Sequence, residues 1–141
     1  MIARSALAPV SEALAAILNV EPLLTLCPEG IWDDVRPNSP FPVGWYSLIE
    51  VPWRAFQQPG LMLELGLHVY TPYAGHLEGQ RILDQAMQLL QATPTPYPID
   101  GFRLQWFDYM GTIPMPDAVI NGVNTKHLHG RASIVVTQDE S

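Results

Sequence analysis

A single cysteine, Cys27, excludes an intramolecular disulfide and any multi-cysteine zinc site, and suits a reducing compartment. Basic residues are also scarce, seven against fourteen acidic ones, and Arg4, Arg36, Arg54, Arg81, Arg103, Lys126 and Arg131 are scattered. With a net charge of -7 and no basic patch, tight phosphate neutralisation is disfavoured, so nucleic-acid binding is not the expected main activity. No apolar run approaches the roughly 20 residues a membrane helix needs. The short apolar stretch Ala13–Leu18 lacks a basic leader and a cleavage site, so a signal peptide is not expected. Missing too are a Gly-rich phosphate loop, a G-x-S-x-G elbow, a kinase signature and an HExxH helix, which leaves no residue to nominate for catalysis and no cofactor to expect.

What is present reads as one folded unit over 1–141. A hydrophobic fraction of 48% with 15% charged residues is that of a globular chain, long enough to bury a core unaided. Leu61, Leu63, Leu65, Leu67 and Val69 alternate with Met62, Glu64, Gly66, His68 and Tyr70, so a strand buries its leucine face. Five such side chains contribute about 8 to 15 kcal/mol of gross burial before chain entropy is subtracted. After the turn at 71–75, Ile82, Leu83, Ala86, Met87, Leu89 and Leu90 gather on one side of a helix that should cover those leucines. An N-terminal helix follows from Val10, Ala13, Leu14, Ile17 and Leu18, with Asn19 ending it and Pro22 opening a short second one.

Gly30–Arg36 reads as a short strand, and Val43–Val51 as a longer one joined through Pro52–Gly60 to the Leu61 strand in an antiparallel hairpin. Thr93–Pro98 is an extended proline connector. Two more strands follow, one with Phe102, Leu104 and Trp106 on one face, the other with Leu128, Gly130, Ala132, Ile134 and Val136. Met110–Thr125 matches neither periodicity and is expected to be a binding loop, since Ile113, Met115, Val119 and Ile120 would otherwise sit in water. The fold expected is α+β: a mixed, mostly antiparallel sheet of four to five strands, covered on one face by two to three helices.

His127-x-His129 shares a strand face and, with Glu64 and His68, offers the residue types of a metal site. No specific ligand spacing supports one, and the favoured reading is a polar row of His127, His129 and Arg131 facing solvent or another subunit, opposite acids such as Glu64. Asp33 and Asp34 are adjacent on a strand, point to opposite sides and cannot share a proton. Trp45, Trp53, Tyr73 and Trp106 lack the basic groove that base stacking needs.

Four segments carry a resemblance: Ala13-Leu14-Ala15-Ala16-Ile17-Leu18, Ser39-Pro40-Phe41-Pro42-Val43, Leu67-His68-Val69-Tyr70, and His127-Leu128-His129-Gly130-Arg131-Ala132-Ser133. In this order over nearly the whole chain they resemble the tail completion or tail terminator family of long-tailed bacteriophages, relatives of the phage lambda terminator. The proline connector and the 110–125 segment depart from the pattern. The resemblance implies a non-enzymatic virion protein, assembled in the host cytoplasm as a hexameric ring on the tail tube protein. Such a ring stops tube growth, meets a head-tail connector or stopper, and passes DNA without binding it. Glu64, His68, Ile113, Met115, Val119, Ile120, His127, His129 and Arg131 are the expected contact residues. Rival readings are another neck component, such as a connector or stopper, and a small metal-dependent hydrolase built on the histidines.

Overall fold

The computed structural model describes residues 4–53, 60–72, 74–92 and 99–139, with backbone alone at 52 and 53. The connector at 93–98, Tyr73, the Trp53 side chain and residues 54–59 of the expected hairpin link lie outside that set. Helices α1 (Leu7–Leu18) and α2 (Leu23–Leu26) lead to strands β1 (Ile31–Trp32), β2 (Val43–Trp53) and β3 (Gly60–Thr71). Helix α3 (Leu77–Ala92) then precedes β4 (Phe102–Ile120) and β5 (Val123–Gln138). The strands form a five-stranded sheet in the order β1-β2-β3-β5-β4, parallel between β1 and β2 and antiparallel elsewhere. This is the α+β architecture read from the sequence.

All three helices pack on one face of the sheet. Leu63, Leu65, Leu67 and Val69 of β3 are buried there, beside Tyr46 of β2 and Leu128, Ala132, Ile134 and Val136 of β5. Ile82, Leu83, Ala86, Met87 and Leu90 of α3 close over them, as the helical spacing requires. Gly130 occupies the same row. A Cβ there would stand 3.2 Å from Met87 Cε and 3.5 Å from Leu83 Cδ2, so its missing side chain lets α3 settle onto the sheet. Asn19 ends α1 and then acts as a strand partner: its Oδ1 accepts from Ile31 N at 2.7 Å, and its Nδ2 donates to Ile31 O at 3.0 Å. That bond pair fixes β1, which is cut to two residues from the longer strand expected over 30–36. Cys27 is fully buried, and desolvation pushes its thiol up to about 11, as befits a packing residue.

Two expectations are corrected. Trp106 does not share a face with Leu104, because a register shift between them turns Trp106 to the opposite side of the sheet, across from Val135. The 110–125 segment is not a loop. It continues β4 and β5 as a long hairpin, paired as far as Ile120 with Val123 and turned by Asn121 (φ 51°) and Gly122 (φ 78°). Both turn residues adopt positive φ, the conformation that Asn-Gly supplies in a tight hairpin. Pro114 and Pro116 are accommodated because β4 is an edge strand, where missing amide donors are tolerated.

Candidate functional site on the open sheet face

The face away from the helices carries the residues singled out in the sequence, and the register decides which of them meet. Across it run the rows Val43, Tyr70, His127, Met115 and Trp45, His68, His129, Ile113. Below them lie Ser47, Gly66, Arg131, Gly111, and then Ile49, Glu64, Ser133, Asp108. Period-two geometry therefore brings three of the four histidines of the chain into one cluster.

The cluster is a stack. The ring of His68 lies between Trp45, with centroids 4.4 Å apart and planes at 11°, and His129, at 4.3 Å and 14°. Tyr70 stacks on His127 at 4.3 Å. Two hydrogen bonds tie the rows together: Trp45 Nε1 donates to Tyr70 Oη at 3.2 Å, and His68 Nδ1 shares a proton with His127 Nε2 at 3.0 Å. Packing removes water from the rings and penalises the imidazolium form. Burial, then the neighbouring His129 and His127, lower His68 to about 4. Burial and His129 lower His127, while burial and the nearby Arg131 guanidinium lower His129. All three are therefore neutral at pH about 7.

This differs from the expected row of histidines opposing acids. His129 faces His68, His127 faces Tyr70, and Glu64 stands lower on the sheet between Ile49 and Ser133. Nearly parallel rings direct their lone pairs side by side, and tetrahedral metal coordination needs them to converge. Among the described residues no group of three or more His, Cys, Asp and Glu has metal-binding geometry. Asp33 and Asp34 are exposed at the β1 edge, apart from the cluster.

The remaining expected contact residues divide between this face and the hairpin. Ile113 and Met115 border the histidines, whereas Val119 and Ile120 lie near the hairpin tip, with Val119 66% exposed. The last residue of β3 pairs with Lys126, so beyond that point the hairpin is a two-stranded arm. Lys126 Nζ pairs with Asp117 at 2.9 Å, and Thr125 Oγ1 donates to Ala118 O at 2.8 Å. At the tip, Asn121 Oδ1 accepts from Asn38 N at 3.2 Å, tying the arm to the turn before β2. At the opposite end of the face, Val51, Met62 and Trp106 form a row over the buried Val135, next to Ile49, which is 59% exposed. Trp45, Tyr70, Ser47 and Gly66 were not anticipated as site residues. Tyr70 was legible as a face-mate of His68 from alternation alone, whereas Trp45 and Ser47 required the β2–β3 register.

A chain of a solved virion has this fold. The structure described as the virion of a native gene transfer agent (GTA) particle contains a chain that matches with a TM-score of 0.70 over 96% of this protein and 99% of its own length. The two share 14% sequence identity, so the likeness is one of fold. No family model and no curated protein matches the sequence.

Proposed function

We propose that this protein is a structural, non-enzymatic subunit of a phage-like particle, a tail terminator that closes a tail tube as a ring. The observation that carries this reading is the fold shared with a virion chain across almost the full length of both. The ordered segments resembling tail terminators point the same way. The distribution of surface chemistry agrees with it. One face of the sheet is covered by helices, while the other exposes Ile49, Val51, Trp106 and Ile113 and carries a projecting arm, more apolar surface than a solitary domain keeps without use. The net charge of -7 suits a lining past which DNA slides without adhering.

In this reading Glu64, His68, His127, His129 and Arg131 face a neighbouring copy or the tube, and Ile113, Met115, Val119 and Ile120 carry the arm into that contact. Removal of the arm from Pro116 to Asn124 tests it. The shortened chain still unfolds cooperatively, its circular dichroism spectrum reduced only by the strand residues removed, but loses most of its co-sedimentation with tail tubes, and light scattering no longer finds a ring. Undiminished attachment would sink the role of the arm. Association with the portal in place of tubes would reassign the protein to another neck component.

A further inference from the structure

Strand β2 runs in unbroken register along β3 from Val43 to Trp53, yet on its outer side β1 covers only Gly44 and Trp45. From Ser47 to Val51 that edge has no strand beside it, and none of its backbone groups bonds to a loop or helix among the described residues. Alternate residues turn their N–H and C=O outward, so the edge is a row of donors and acceptors open to another strand. We propose that the outer edge of β2 is a docking site for an extended, basic segment of another protein, which pairs there as a sixth strand.

The two edges of the sheet differ. β4 carries Pro114, Pro116 and three register shifts, whereas β2 has no proline and no shift between Val43 and Val51. A cleft of about 310 Å³ lies along the β2 edge, between Leu7 and Ser11 of α1 and Asp33 just beyond β1, and reaches Tyr46 and Leu48. Alternation sends Tyr46, Leu48 and Glu50 toward the helices and Ser47, Ile49 and Val51 to the open face. Leu7, Ile49 and Val51 are exposed, so an added strand covers apolar side chains on both of its sides.

Charge selects the occupant. Asp33 lines the cleft at one end, and burial followed by the Asp33 charge raises the Tyr46 hydroxyl, which sets that carboxylate on the helix side. Glu50 stands four residues further along β2, about 13 Å from Tyr46 at the usual rise, and accepts from Ser5 Oγ at 2.6 Å. Neither carboxylate is in an ion pair among the described residues, and no Lys or Arg lines the cleft. On the helix side an incoming strand therefore meets an acid, an apolar wall and an acid. The matching sequence is basic-x-apolar-x-basic, with a further apolar residue beside Ile49, and it reads the same in either strand direction. A second copy of this chain is the poorer occupant, since its own β2 edge would bring Asp33 and Glu50 against the same two acids. The site stands independently of the ring reading.

The test uses a short synthetic peptide with lysines four residues apart, a leucine midway between them and valines on either side of the leucine. Titrated into the protein and followed by backbone amide NMR, it should give saturable shifts over 46–51 and slow the exchange of the outward amides there. Replacing its lysines by glutamates should abolish binding, and methylating the peptide amides along one edge should do the same while methylation along the other edge is tolerated. Asp33→Asn and Glu50→Gln, both surface changes that leave the core untouched, should each weaken binding several-fold and together about tenfold, with a matching loss at high salt. Equal binding of the acidic peptide, indifference to methylation on either edge, or shifts confined to β4 would overturn the proposal. So would concentration-dependent protection of 47–51 without peptide, which would make the occupant a second copy.

Discussion

Acidification should loosen this protein, and His68 is the group responsible. It is sandwiched between Trp45 and His129 and hydrogen-bonded to His127, an arrangement that holds it neutral down to about 4. In the unfolded chain its pKa returns to about 6.5, so between these limits the unfolded state binds the extra proton. The folded-state pKa is the depressed one, hence the contribution to stability is complete above about 6.5 and drains away as pH falls toward 4. A fully shielded ring would lose about 2 kcal/mol between pH about 7.5 and about 5, and the open outer side of the stack reduces this to about 1 kcal/mol. For a domain of this size that is a drop of about 3 to 4 °C in Tm. Urea unfolding at both pH values, in buffers free of carboxylates, measures the difference for the wild type and for His68→Phe, which keeps an aromatic ring in the stack without a titrating group. The variant should lose about half or more of the pH-dependent term. Equal pH dependence in both proteins, or an NMR midpoint for His68 near 6.5, would refute the reasoning.

Two further perturbations probe the core and the arm. Leu67 is fully buried between Tyr46 and Gly130 on the neighbouring strands, and the glycine offers nothing to refill a void. Leu67→Ala should therefore cost about 4 kcal/mol, seen as a lower urea midpoint at unchanged m-value, and a loss below about 1 kcal/mol would contradict the packing described. Gly122→Val puts a β-branched residue at φ 78° and should strain the turn by about 1 to 2 kcal/mol. Amide exchange should then quicken across 118–125 while β3 stays protected; uniform acceleration would mean that the arm and the core unfold together.

The parts of the fold legible in the sequence were those where one period ran unbroken. Leu61–Val69 alternates without a fault and α3 keeps helical spacing from Ile82 to Leu90, so the central strand, its buried face and the covering helix follow directly. β4 hid itself for a physical reason. Register shifts at Leu104/Trp106, Tyr109/Gly111 and Met115/Ala118 reset the alternation three times, and Pro114 and Pro116 imitate breakers in a strand that tolerates them at the sheet edge. The Asn121-Gly122 pair was the available signal, being the strongest short hairpin cue when apolar alternation flanks it. At the candidate site, shared strand faces identified His68, His127 and His129. Their stacking did not follow, because register between strands distant in sequence is set by tertiary pairing.

The prolines of β4 also bear on how the protein avoids unwanted strand pairing. A long edge strand is a template on which other chains can add, a hazard that grows with protein concentration. Pro114 and Pro116 remove two amide donors from the edge, and the three register shifts keep it from lying straight. The β4 side of the sheet therefore resists fibrous growth through the composition and irregularity of its own edge strand.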